Sequence, residues 1–299
     1  MNTAVLLQSE SSQSETTIKR ICLEEMRALK TEELLSELAD TGVLLFPQGA
    51  ETVDEFCSFV KRHSSRLSLD PARTMEGGAA QLVDAGTDAV GLHCENGNSP
   101  FWPDLTWFYC KEAPRVGSQT TVCDGVAVLD QFSDSTREFF VQNEIRYSRN
   151  VQADKWKRLV VHYTPTLNNP AQVKFEDLQR IIGDDPNTQI TYNPADESIG
   201  YDFTVSAVLS SAIGRQPAFA NSILGPSYNY EKPRITIAAS GEPIPAAMME
   251  ELIRVTDANT IPVDWNDNDF VMIDNRRVMH GRRAIVDTRR KIFNALSYL

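Results

Sequence analysis

Two short polar stretches, far apart in the chain, most limit what it can fold into. The first is His93-Cys94-Glu95, within Ala89 to Pro103. If Val90 to Glu95 is extended, successive side chains alternate, so His93 and Glu95 share one face and Cys94 takes the other. The second is Asp274-Asn275-Arg276-Arg277-Val278-Met279-His280-Gly281-Arg282-Arg283, which follows the apolar run Phe270-Val271-Met272-Ile273. His280 lies 187 residues after His93 and is one of only four histidines, with His63 and His162. A lone His-x-Glu carries little information. For the three residues to act together, two strands separated by most of the chain must meet.

Most of the remaining sequence reads as short strands and bracing helices. Met1 to Thr17 is crowded with Ser, Gln and Glu and buries too little apolar surface to offset ordering, so residues 1–17 are expected as a loose tail. Helical spacing runs from Ile18 to Leu38, with a break near Thr31. Val43 to Phe46, between Gly42 and Pro47, reads as a buried strand. Thr52, with Glu55 three residues on, caps a helix carrying Phe56, Phe59 and Val60, and leaves His63 solvated or facing the helix dipole at its end. Leu105 to Cys110 is apolar on both faces, as a buried strand is. Gly117-Ser118 turns the chain into a strand holding Thr120 and Thr121.

Further on, the patterns predict a helix from Val126 to Val141, a strand from Glu144 to Val151, and a packed strand around His162. A helix over Phe175 to Ile182 and a strand over Tyr201 to Leu209 follow. Strands at Arg234 to Ala238, Phe270 to Asp274 and Lys291 to Leu299, with a helix at Pro245 to Asp257, close the chain. Early helices and late strands suit a mainly β fold with flanking helices, an antiparallel barrel or sandwich. Residues 18–299 read as a single domain with an insertion at about 153–233, since no repeat or linker interrupts that region.

Charge and cysteine usage exclude several function classes. A formal net charge of −12 leaves no surface suited to neutralising many phosphates, which argues against a nucleic-acid partner. A small anionic ligand would instead need a local basic pocket. No apolar run is long enough for a bilayer, and no basic segment precedes an apolar one near the start, so the expectation is a soluble, cytoplasmic protein without a membrane partner. The five cysteines, Cys22, Cys57, Cys94, Cys110 and Cys123, lack CxxC spacing and suit reduced thiols in a core.

Two histidines and one carboxylate, two close in sequence and one distant, match the facial triad of non-haem Fe(II) oxygenases, which leaves metal positions open for oxygen and an organic co-substrate. The sequence resembles a known family at this point. His93-Cys94-Glu95, the turn Gly117-Ser118-Gln119-Thr120-Thr121 and the late run Asp274 to Arg290 resemble the taurine dioxygenase and clavaminate synthase-like superfamily of Fe(II)/2-oxoglutarate-dependent oxygenases. The resemblance implies a double-stranded β-helix (jelly roll), with His93, Glu95 and His280 binding iron. It also implies that Thr120 hydrogen-bonds 2-oxoglutarate and that Arg290 pairs with its distal carboxylate, a match suited to a guanidinium. Arg289 faces the other side, so a shift of one residue would exchange the two.

Some members carry another basic residue four places after this arginine; here that place is Asn294. Family halogenases have a small residue where Glu95 stands, which argues against halogenation. The implied reaction consumes molecular oxygen and hydroxylates, desaturates, epoxidises or cyclises a small amino-acid-like molecule of specialised metabolism. Two other readings stay open on the residues alone. One is a zinc hydrolase, although no HExxH is present. The other is a non-catalytic ligand-binding barrel. Asn96, Asn98, Phe101 and Trp102 line a pocket or form a turn, and Arg276, Arg282 and Arg283 bind a substrate carboxylate or sit in weak surface ion pairs.

Overall fold

The computed structural model describes residues 15–68, 75–83, 86–225 and 232–299. The chain is mainly β, with helices packed outside the sheets. An eight-stranded sheet is built on Val43–Phe46, Phe270–Asp274, Leu105–Glu112 and Lys291–Tyr298, side by side in that order. A second sheet has four strands in the order Ile261–Pro262, Thr120–Asp124, Val278–Arg282 and Val90–His93.

The central strands of the larger sheet are apolar on both faces because both faces are covered, and alternation decides which residue goes where. Leu44, Phe46, Trp107, Tyr109, Phe270 and Met272 point to one side. There they pack with Leu34, Leu38, Phe56, Phe59 and Val60 of the helices Thr31–Thr41 and Val53–Arg62. Val43, Leu45, Phe108, Cys110, Val271 and Ile273 point the other way and meet Val122 and Val278 of the second sheet. The outer face of the second sheet, with Leu92, Cys123 and Met279, packs on a further core that holds Phe140, Phe219 and Leu252.

A third sheet joins that core. Its strands run Thr188–Tyr192, Ile199–Ser206, Glu144–Val151 and Arg234–Ile237, and Ile145, Tyr147 and Phe203 face inward. The helices Ala153–Tyr163 and Phe175–Ile182 pack beside it through Trp156, Val160 and Leu178. Among the described residues no helix is long and apolar enough to cross a membrane.

Several elements differ from the sequence expectation, each for a local reason. The stretch Ile18 to Leu38 is the helices Leu23–Ala28 and Thr31–Thr41, and Lys19–Arg20 instead pairs parallel with Leu44 and Leu45. The segment Val126 to Val141 is two helices, Gly125–Gln131 and Asp134–Gln142, because Ser133 caps the second by accepting from Thr136 N. His162 lies on a helix and not a strand. The β-branched Val160 and Val161 favour extension, but Trp156 and Val160, four residues apart, bury together and decide the matter. The strand expected over Tyr201 to Leu209 is Ile199–Ser206 followed by Val208–Ser210. His63 is buried against Phe59, with Nδ1 2.9 Å from Thr31 Oγ1, and is not solvated. Of the tail expected at 1–17, residues 1–14 lie outside the described residues. Thr16 is buried and accepts from Asp124 N at 2.8 Å.

Candidate metal centre

The strand Val90–His93 ends at His93 and the chain then turns through Glu95 to Asn98, so Glu95 opens a turn and does not continue the strand. The alternation survives the turn. Leu92 and Cys94 are buried in the core behind the second sheet, while His93 and Glu95 line a pocket on its other face. His280 comes to them because Val278–Arg282 runs antiparallel to Val90–His93, with His280 directly opposite His93.

Neighbouring groups fix this corner. Ser222 Oγ donates to Cys94 O at 2.9 Å, and Cys94 N donates to Asn221 O at 2.9 Å. The backbone there approaches so closely that a Cβ on Gly91 would lie 2.3 Å from Leu224 O, which only glycine avoids. Asn275 grips Glu95 from the other side. Its Oδ1 accepts from Glu95 N at 2.8 Å, and its Nδ2 donates to Glu95 O at 3.0 Å and Pro103 O at 2.9 Å. Trp102 Nε1 donates to the Asn275 carbonyl at 3.1 Å, a packing role beneath the turn.

One donor atom from each of His93, Glu95 and His280 lies within 4.8 Å of the other two. Among the described residues no other three His, Cys, Asp or Glu side chains gather in this way. Glu95 Oε2 is 3.4 Å from His280 Nε2 and 3.9 Å from His93 Nε2. His93 Nδ1 lies 2.9 Å from Gly91 O, an acceptor only, so Nδ1 carries the hydrogen and the neutral ring offers Nε2 as a lone pair. His280 is buried, and among the described residues neither of its ring nitrogens has a hydrogen-bond partner. Leaving a buried imidazole unbonded is costly, and a cation ligated at this point removes the deficit. The donor set therefore fits Fe(II).

A second group of side chains meets beside the first. Arg290 Nη2 donates to Thr120 Oγ1 at 3.2 Å, and Trp265 Nε1 donates to the same oxygen at 3.1 Å. A threonine hydroxyl has two acceptor sites and one donor. With both acceptor sites filled, its own hydrogen is directed to a further acceptor. Burial, and then Arg282, lower the Arg290 pKa to about 10, which keeps the guanidinium charged at neutral pH. Arg289 turns away, forming a two-point ion pair with Asp287 at 2.8 and 3.0 Å. Asn294, on the inner face of the last strand, lines the same pocket.

The pocket has a volume of about 190 Å³, against ~150 Å³ for a cavity that admits benzene, so it suits small molecules. Asn96, Asn98 and Phe101 line it, as do Arg149, Lys155 and Trp156. Arg282 also reaches it, with Nη2 donating to Asp88 O at 2.7 Å and Gly86 O at 3.1 Å, whereas Arg276 pairs with Asp104 at 2.8 Å and Arg283 is exposed. Sequence reasoning missed Asn275, Trp265 and Arg149. The first stood inside the late polar run next to His280, a usable signal; no spacing marked the others.

The profile of the Taurine catabolism dioxygenase TauD, TfdA family matches residues 11–296. A clavaminate synthase-like protein of Arabidopsis thaliana is 22% identical over 220 residues, 67% of this chain and 63% of that protein, so the match spans less than two thirds of the relative. PvcB of Pseudomonas aeruginosa superposes with a TM-score of 0.57 at 14% identity, covering 91% of this chain and 81% of that one. A further structure of PvcB, described as an Fe, alpha-ketoglutarate dependent oxygenase from an isonitrile synthetic pathway, reaches 0.59 at 13% identity, over 97% and 89% of the two chains. AAD-2 bound to Mn(II) and N-oxalylglycine gives 0.57 at 14% identity, over 94% and 93%. At these identities the superpositions speak to the fold. The profile reaches almost from end to end, and the chain belongs to the TauD, TfdA family of dioxygenases.

Proposed function

We propose that this protein is an Fe(II)- and 2-oxoglutarate-dependent dioxygenase that oxidises a small organic molecule. His93, Glu95 and His280 hold the iron, and Thr120 and Arg290 hold 2-oxoglutarate. The observation that carries the reading is the convergence of the three donor atoms beside the Arg290–Thr120 pair in one pocket. When bound, iron and 2-oxoglutarate would supply the oxidation: 2-oxoglutarate is converted to succinate and carbon dioxide with one atom of molecular oxygen, while the other enters the substrate as a hydroxyl or leaves as water with two of the substrate's hydrogens.

The chain's own groups perform the binding and placement. Glu95 offers a carboxylate held in place by Asn275, and His93 presents Nε2 because Gly91 O fixes its Nδ1 hydrogen. Arg290 offers a fixed fork to a carboxylate, and the Thr120 hydroxyl is left to donate to the same ligand. Phe108, edge-on to His280 at 5.0 Å between ring centroids, excludes water on one side.

The same reading takes the two facing sheets as a double-stranded β-helix, and residues 18–299 as one catalytic unit into which about 153–233 is inserted. It places the enzyme in the cytoplasm, where its five free thiols persist. The reading extends to an amino-acid-derived substrate in specialised metabolism, as the sequence resemblance to the clavaminate synthase-like superfamily implies.

The test is anaerobic addition of Fe(II) and then 2-oxoglutarate, read by the visible charge-transfer band of the chelate. We expect the band in the native protein, and its loss in His93→Ala, Glu95→Ala and His280→Ala with the far-ultraviolet circular dichroism unchanged. Arg290→Ala should weaken 2-oxoglutarate binding at least tenfold, whereas Arg289→Ala should not. Folded, iron-loaded protein that gives no band would defeat the proposal.

A further inference from the structure

The pocket is cationic in a protein that is not. Its described lining residues include Arg149, Lys155, Arg282 and Arg290 but a single carboxylate, Glu95, which the proposed function assigns to the metal. The whole chain carries a net charge of −12. Cations gathered in a concave, largely apolar site focus a field that favours anions.

These cations form two groups. Arg282 and Arg290 both stand at Thr120: Arg282 is its register partner on the neighbouring strand, and Arg290 donates to its hydroxyl. They suit one anionic ligand, the co-substrate. Arg149 and Lys155 belong to different elements, the third sheet and the helix Ala153–Tyr163.

The strand Glu144–Val151 makes the position of Arg149 specific. Alternation sets Ile145, Tyr147, Arg149 and Val151 on its inner face, where the opposed residues are Val205, Phe203, Tyr201 and Ile199. Arg149 is thus one guanidinium on an otherwise uncharged face. Its cross-strand neighbour Tyr201 donates its hydroxyl hydrogen to Asn98 O at 3.4 Å, in the turn that carries Glu95. Arg149 therefore enters the pocket from the third sheet, whose Tyr201 touches the turn that carries Glu95, and not from the strands that carry Thr120 and Arg290. On the helix, Lys155, Leu159 and Tyr163 recur every four residues and all line the pocket, joined by Trp156. From the next helix come Leu178 and Ile182.

We propose that Arg149, assisted by Lys155, anchors the acid group of the molecule that is oxidised, and that this substrate is a small carboxylate with an apolar body lying along Trp156, Leu159 and Ile182. Two-point pairing with a planar guanidinium fixes the carboxylate's orientation, and Lys155 adds a point charge. The inference deepens the proposed function and rests on it for the position of the reacting centre.

The test reads binding, not turnover, so it stands apart from the oxidation chemistry. Hexanoate, octanoate, 3-phenylpropanoate and indole-3-propanoate, each paired with its neutral amide, are titrated into the metal-free protein by calorimetry. At least one acid should bind about tenfold or more tightly than its amide. Arg149→Gln should bring that ratio near one, Arg149→Lys to an intermediate value, and Lys155→Gln should lower it less. Arg290→Gln should leave it unchanged while weakening 2-oxoglutarate binding in the iron-loaded protein. If Arg149→Gln does not fold, Arg149→Lys decides: an unchanged ratio overturns the inference. So does a panel in which no acid is preferred, or a preference that vanishes with Arg290→Gln. A missing charge-transfer band alongside an intact acid preference would defeat the oxygenase reading and leave the anion site standing.

Discussion

Asn275, outside the proposed triad, holds the backbone of one residue inside it, Glu95. It bonds both the N–H and the C=O of Glu95, much as a neighbouring strand would, in a place where the chain has left its strand. Asn275→Ala removes both bonds, and the expected result is a ~10- to 100-fold loss of iron affinity, the usual effect of removing such support. Competition with a fluorescent chelator measures it; unchanged affinity would show that packing alone orients Glu95. Asp274, one residue earlier, makes a different prediction. Burial raises its carboxyl pKa from 3.8 to about 6. The folded state thus holds a proton that the unfolded chain releases near pH 4. Its contribution is fully present below pH 4 and is lost as pH rises through 6, by about 3 kcal/mol at 1.36 kcal/mol per unit. Urea unfolding at pH 4.5 and 7.5 checks this: wild type should lose stability relative to Asp274→Asn at the higher pH. An equal difference at both values would refute it.

At the scale of elements, the strands of the larger sheet were legible because their two-faced apolar character is written into each residue. Val43 to Phe46 and Phe270 to Asp274 appear as the sequence predicts. What a local pattern cannot show is which buried partner wins. The helix Ala153–Tyr163 overrides two β-branched residues through Trp156 and Val160, and Ser133 splits an apparently continuous helix. The candidate site was legible where spacing carried chemistry, at His93, Glu95 and His280. It was not legible at Arg149 or Trp265, because their relation to the site exists only after strands pair. Phe270 tests the packing account. It stacks on Phe46 at 4.6 Å and meets Phe56 and Phe59 at 5.7 and 5.1 Å between centroids. Phe270→Ala should cost about 3–5 kcal/mol in urea unfolding; a loss below about 1 kcal/mol would mean that the helices are not held by this face.

For the molecule as a whole, the proposed iron ligands join two strands of one sheet that lie far apart in the chain. His93 is placed by a strand near residue 90 and His280 by a strand near the other end, paired directly across the second sheet. A contact between positions so distant in sequence closes late, since the entropy of a long loop must be overcome before the contact can help. On the proposed function, iron would then bind a largely formed structure rather than seed it. In kinetic terms, we predict that Fe(II) leaves the refolding rate nearly unchanged while slowing unfolding, the pattern of a triad completed after the barrier. Stopped-flow refolding under anaerobic conditions, with and without metal, distinguishes this from a protein that folds around its ion. On this account the metal acts as a lock on a completed protein, and its loss leaves a folded chain able to take iron up again.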